Sequence, residues 1–280
     1  MVNKSQILKE LITSKETLIM PDAFDPLSAR LIELTGYKAV QCSGLSFSIS
    51  SGYKKEAQYT LEENLAITEK IVKAVNIPVM ADGEDGFGLP EYVYKTVKLF
   101  LKTGVAGINI EDQILSGHKE GFVIDVDLMS DKIKAVREAA LDCMNSYFIL
   151  NARTDVINTI KIRKKGLIQA IDRSNIFLEA GADMAFITYV KTKDELKQIA
   201  KEVNGPVSIS AGIPYTMVDF TIQDCKELGI NRVSIPTALI FGAIQGMNNI
   251  LENLQKDNDL IKLFNNKVFC TKEFLEQIYE

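Results

Sequence analysis

The sequence predicts an α/β fold: a single (β/α)8 TIM-type barrel with extra C-terminal helices. Three observations predict it. Eight short apolar, β-rich runs alternate with segments of helical period. Glycines close several of the helical segments just before the next run. Polar and charged residues gather where the runs end, and in a parallel barrel those ends converge on one mouth. The 280 residues are enough for one such barrel over 1–280, with 248–280 as a helical extension.

In order, the strand-like runs are Thr17–Met20, Ala39–Cys42, Ile77–Ala81, Ala106–Ile110, Tyr147–Asn151, Met184–Ile187, Pro206–Ile209 and Arg232–Ile235. Between the second and third, Thr60-Leu61-Glu62-Glu63 reads as a capping box, with Leu65, Ile67, Ile71, Val72 and Val75 following at helical spacing. Pro90 sits where a first helical turn tolerates it, ahead of Val93, Val97, Phe100 and Leu101. Gly36, Gly104, Gly181 and Gly229 stand just past a helix end, where a left-handed backbone closes the last turn. An open doubly wound sheet is the competing architecture. It would need a glycine-rich phosphate loop after the first strand, and MPDAFDPLSA is not one. The tail from Asn248 to Glu280 reads as two or three further helices, with an apolar stripe of Leu260, Ile261, Leu263, Phe264, Val268 and Phe269. That stripe suits docking on the barrel or on a second subunit.

Composition excludes some functions. The net charge of −5 leaves no basic excess to neutralise phosphates, so neither nucleic acid nor an anionic membrane is expected as a partner. No apolar run approaches the roughly eighteen residues of a membrane helix, and no charged-then-apolar leader opens the chain. Cys42, Cys143, Cys225 and Cys270 are scattered without a CxxC pair, as in a reduced, cytoplasmic protein. His118 is the single histidine, which excludes a His-rich zinc site.

The strand ends carry the candidate chemistry. They hold Ser43-Gly44-Leu45-Ser46, Asp82-Gly83-Glu84-Asp85-Gly86, Glu111-Asp112-Gln113, Asn151-Ala152-Arg153-Thr154-Asp155 and Ser208-Ile209-Ser210. Carboxylates from neighbouring strand ends suit Mg2+, which takes oxygen ligands and keeps several waters. Asp82 and Glu111 are the candidate ligands, with Glu84 and Asp85 in support. Arg153 suits an anionic substrate group, because its planar fork binds carboxylate or phosphonate at two points. Ser43, Gly44 and Leu45 offer a hydroxyl and approachable N–H groups for a second carboxylate, and Ser210 faces the same mouth. Competing readings are a solvated acidic turn at 82–86 and a structural ion pair of Arg153 with Asp112 or Asp155.

PDAFDPLSARLIELTGYKAVQCSGLS, IPVMADGEDGFG, GVAGINIEDQ, ILNARTDV, EAGADMAFI and ELGINRVS, in this order over about residues 15–245, resemble the phosphoenolpyruvate mutase/isocitrate lyase superfamily. The resemblance implies a Mg2+-dependent enzyme acting on a small-molecule carboxylate. It also implies a homo-oligomer, dimer or tetramer, whose C-terminal helices pass between subunits. Members make or break C–C or P–C bonds beside a carboxylate, through an enolate of pyruvate or a related acid. By position, Asp82 resembles the direct metal ligand, Glu84 the second acid of the pair, and Glu111 a ligand acting through water. Ser43, Gly44 and Leu45 resemble the carboxylate-binding turn, and Arg153 the anion-binding arginine.

The departures bear on the reaction. Lyases of the family carry Cys-Gly-His in a loop where this chain has Ser116-Gly117-His118. A serine hydroxyl is too weak an acid to inherit the thiol's role. Ser116 and His118 are the catalytic candidates there, with His118 the proton carrier. Lyases also carry a glutamate where this chain has Thr188, and mutases an aspartate near Lys55 or Glu56. The leading expectation is a lyase cleaving a C–C bond of a hydroxy di- or tricarboxylate. A P–C mutase or hydrolase, an oxaloacetate-type hydrolase or decarboxylase, and a non-catalytic scaffold are the alternatives.

Overall fold

The computed structural model describes residues 3–55, 58–115, 121–211, 219–265 and 269–279. Eight parallel strands close into a barrel in sequence order: β1 (Leu18–Ala23), β2 (Val40–Cys42), β3 (Val79–Asp82), β4 (Gly107–Glu111), β5 (Ile149–Thr154), β6 (Met184–Ile187), β7 (Val207–Ser210) and β8 (Arg232–Ile235). Each overlaps the run the sequence predicts. The strands are buried on both faces, which is why they read as continuous apolar runs rather than as alternating ones.

The helices are α1 (Lys4–Thr13), α2 (Pro26–Leu34), α3 (Gly44–Ser50), α4 (Leu61–Ala74), α5 (Pro90–Thr103), α6 (Val126–Asp142), α7 (Val156–Thr159), α8 (Arg163–Glu179), α9 (Lys193–Glu202), α10 (Ile222–Glu227), α11 (Ala238–Asp257), α12 (Leu260–Asn265) and α13 (Lys272–Tyr279). Local signals fix their ends. Thr60 and Glu63 form the reciprocal capping box of α4, and Pro90 opens α5. Gly36, Gly104, Gly181 and Gly229 all have positive φ, as their position after a helix requires. Two boundaries differ from the sequence reading. The SGLS stretch is no simple turn: Ser43 caps α3, its side chain accepting from Ser46 N. The tail has no break at 248, because α11 begins at Ala238 and runs unbroken through it. No proline interrupts that stretch, and Gly242 and Gly246 are tolerated within the helix.

The barrel interior is layered. At its N-terminal end, Met20, Met80, Ile149 and Met184 pack against Leu8 and Ile12 of α1, which plugs the bottom. Above them lies a polar layer around Arg232, which is fully buried. Its guanidinium donates to Gln41 Oε1 at 2.6 Å and Ser208 Oγ at 2.7 Å, and its Nε approaches Met20 Sδ at 3.1 Å. Asn151 donates to Asn109 at 2.8 Å in the same region. A buried cation without such partners would cost several kcal/mol. This layer is the floor of the mouth.

Candidate active site

At the C-terminal mouth a cavity of about 150 Å³ opens. Asp22, Ser43, Leu45, Asp82, Asn109, Arg153, Thr188 and Ser210 are among its lining residues. Strand geometry puts them there. Successive side chains point to opposite faces, so Asn109 and Glu111 share the inward face of β4, and Asn151 and Arg153 that of β5. Register then sets Asp82 beside Asn109, and Glu111 beside Arg153.

Asp82 is held in place by backbone and side-chain donors. Its Oδ2 accepts from Gly44 N at 2.9 Å, and its backbone carbonyl accepts from Asn64 of α4 at 2.9 Å. Thus Gly44 N–H, a candidate for substrate carboxylate, is turned onto Asp82, while Ser43 and Leu45 remain on the cavity wall. A Cβ at Gly44 would collide with Glu84 and the Tyr59 hydroxyl, so only glycine lets α3 approach the acidic loop. Glu84 lies behind that wall, accepting a hydrogen bond from Tyr59. Asp85 is not on the cavity; its side chain accepts from Phe87 N at 2.9 Å, and Lys132 of α6 donates to its carbonyl at 2.6 Å.

Buried Glu111 and half-buried Arg153 form a pair at 2.6 Å. Asp155 grips the other edge of the guanidinium, with Oδ2 2.8 Å from Nε and Oδ1 2.9 Å from Nη2. The ion pair the sequence left open is therefore made with Asp155 and Glu111. Asp112 instead pairs with Arg173 of α8 at 2.9 Å. Arg153 still lines the cavity, and Phe186 lies under its plane at 5.9 Å. Thr188 lines the mouth and donates to Thr154 O at 3.0 Å. Ser116 and His118 lie outside the described residues.

The site contains groups that sequence reasoning passed over. Asp22, at the end of β1, lines the cavity and accepts from Ser234 Oγ at 3.0 Å. Burial pushes its carboxyl up to about 7, opposed by Arg232 and Ser234 and reinforced by Asp82. Burial also raises Asp82, with Arg153 and the N–H groups of Gly44 and Glu84 opposing. Burial raises Asp112 to about 6 against the pull of Arg173. The available signal was a charged letter inside an apolar run, as at Asp22 and Arg232, because a buried charge always implies partners. Backbone strain also rings the mouth: Glu84, Tyr189 and Thr237 have φ of 49°, 59° and 59°. For a β-branched residue such as Thr237 that is costly, and such strain concentrates at functional sites.

A model of the family described as phosphoenolpyruvate phosphomutase matches residues 8–255. The chain belongs to the phosphoenolpyruvate phosphomutase family. Its relatives include 2,3-dimethylmalate lyase of Eubacterium barkeri, 31% identical over 92% of this chain and 88% of that one. Carboxyvinyl-carboxyphosphonate phosphorylmutase of Arabidopsis thaliana, a chloroplastic protein, is 33% identical over 88% of this chain and 73% of that one. Among solved structures, phosphonopyruvate hydrolase in complex with oxalate and Mg2+ superposes with a TM-score of 0.87 at 23% identity, covering 99% of this chain and 95% of that one. This member of the phosphomutase family is an enzyme, and its named relatives are lyases and mutases.

The mouth suits a Mg2+ ion by its donor chemistry. Two buried carboxylates, Asp22 and Asp82, face one cavity and disfavour each other's charge, which a cation would relieve. The lining adds hydroxyl and amide oxygens from Gln41, Ser43, Asn109, Ser210 and Ser234 beside Arg153 and the apolar Leu45, Phe186 and Val190, with Cys42 kept as a neutral thiol by burial. Among the described residues no cluster of three His, Cys, Asp or Glu side chains forms a cage. Mg2+ needs none, since one or two carboxylates with waters and substrate oxygens suffice.

Proposed function

We propose that the protein is a Mg2+-dependent lyase that cleaves a C–C bond of a hydroxy dicarboxylate or tricarboxylate to an oxoacid and a second acid. The observation that carries this reading is Arg153: a half-buried guanidinium on the cavity wall, held at both edges by Glu111 and Asp155, with Asp82 lining the same cavity. An arginine so fixed presents an oriented positive charge to a substrate carboxylate. The likeness to 2,3-dimethylmalate lyase favours C–C cleavage.

Asp82 and Asp22 would hold the Mg2+, with Glu111 and Glu84 further back. When bound, the ion polarises the substrate's carboxylate and hydroxyl oxygens and steadies negative charge that develops on them. Arg153 binds and orients the carboxylate at the bond to be broken. Ser43, Leu45 and Ser210 position the second acidic arm. As the hydroxyl passes its proton to a water at the mouth and the C–C bond breaks, the electron pair passes to the carbon beside the departing fragment's carboxylate. That carbon then takes a proton, for which His118 is the candidate donor and Ser116 the other candidate from the sequence. The apolar Phe186 and Val190 narrow the cavity and exclude water from the anion.

A second reading, cleavage or transfer at a P–C bond, rests on the 33% identity to carboxyvinyl-carboxyphosphonate phosphorylmutase. One experiment separates them: products from 2,3-dimethylmalate, 2-methylisocitrate, oxaloacetate and phosphonopyruvate, read by NMR with Mg2+ or with EDTA. Mg2+-dependent oxoacid release from a hydroxy acid is expected. Turnover of phosphonopyruvate alone would replace the C–C reading with the P–C one.

A further inference from the structure

Asp155 grips Arg153 at two points, while Glu111 holds its other edge. Asp155 is in turn fixed from outside the barrel. Its backbone N–H donates to Asp112 Oδ1 at 3.0 Å. Asp112 is fully buried, and its Oδ2 accepts from Arg173 Nε at 2.9 Å. Arg173 sits on α8, over the ring of Phe177 at 5.4 Å, and its Nη2 donates to Ile124 O at 2.7 Å. Ile124 N in turn donates to Asp112 O at 2.8 Å, and Asp112 N to Arg153 O at 3.1 Å. The chain of contacts is continuous: Arg173, Asp112, Asp155, Arg153.

We propose that Arg173 is a positioning residue for Arg153: its fork bridges Asp112 and Ile124 O, and through Asp112 and Asp155 sets the plane in which Arg153 meets the substrate's carboxylate. The inference rests on the reading of Arg153 as the anion-binding residue. A lysine at 173 would keep the charge but lose the planar fork that serves both partners. A methionine would keep the bulk and leave Asp112 buried without its cation, free to turn from Asp155. Small displacements of an orienting group cost much more in binding and rate than in fold.

The test is calorimetric binding of oxalate, as a small dicarboxylate probe, to the whole enzyme in Mg2+, with a thermal melt of every variant. Arg173→Met should raise the oxalate Kd about tenfold, and Arg173→Lys by less. In an Arg153→Lys background, where the fork gripped by Asp155 is gone, Arg173→Met should change Kd less than about twofold. Equal losses in both backgrounds, or a folded Arg173→Met that binds like the parent, would overturn the relay. Should Arg173→Met not fold, Arg173→Lys in both backgrounds gives the same comparison. An unchanged Kd in Arg153→Lys alone would instead overturn the reading of Arg153, independently of the relay.

Discussion

Gly44 meets two constraints at once: its N–H must reach Asp82, and its α-carbon must lie against Glu84 and Tyr59. Gly44→Ala forces these apart, so we expect turnover to fall about a hundredfold, with about 1–3 kcal/mol lost in stability. Parallel kcat measurements and urea titrations check it; unchanged kcat in a folded variant would show that Asp82 tolerates the shift. His118→Gln tests the proton carrier, and a general acid–base there predicts a loss of about a hundredfold in turnover. Thiol reactivity reports burial. Burial raises the Cys42 thiol and pushes Cys225 up to about 11, whereas Cys270 is exposed. Because the thiolate is the nucleophile, an aromatic disulfide at pH 8 should label Cys270 in the folded enzyme and spare Cys42 and Cys225. Mass spectrometry of the labelled peptides would expose the opposite order. At this scale the sequence was a partial guide. It placed Asp82, Glu111 and Arg153 at strand ends, but which anion would grip Arg153 depends on the register between β4 and β5 and on side-chain geometry over a few ångströms. No spacing of letters encodes that choice.

Elements were far more legible than contacts. All eight strands were visible because burial on both faces demands unbroken apolar runs, and the α4 cap because a side chain must satisfy the free N–H groups of a first turn. The α3 start was missed: a seven-residue helix has too little period to show. The role of α1 was also hidden, since an amphipathic N-terminal segment does not reveal which end of a barrel it closes. Leu8 is fully buried against the barrel's lower layer, so Leu8→Ala should cost about 2–5 kcal/mol by leaving a cavity there. Lying at the end away from the mouth, the change should leave the Mg2+-dependent KM unaltered while the urea midpoint falls. Loss of both together would mean that the lower layer transmits strain to the floor around Arg232.

The whole molecule presents an unevenly covered surface. α13 rests on α2, where Arg30 donates to Ile278 O at 2.7 Å and lies 5.9 Å from the Tyr279 ring. Beyond that contact the C-terminal helices bury Ile240 and Leu263 but leave one side open: Met247, Leu251, Leu260, Ile261 and Phe264 are each more than half exposed. Large apolar side chains concentrated on one region mark an interaction surface far more often than chance exposure does. No helix of the described residues is long and apolar enough to cross a membrane, so these side chains do not form a transmembrane helix. A second copy of the chain is the occupant expected from the family resemblance, and a twofold contact needs only one such self-complementary patch. Sedimentation of the enzyme should therefore give a dimer or tetramer. Leu251→Glu combined with Phe264→Glu should shift it toward the single chain while far-UV circular dichroism stays intact, because burying unpaired carboxylates in an apolar contact is costly. A variant that sediments like the parent would place the subunit contact elsewhere. A parent that sediments as one chain would mean that the open helices serve a different protein.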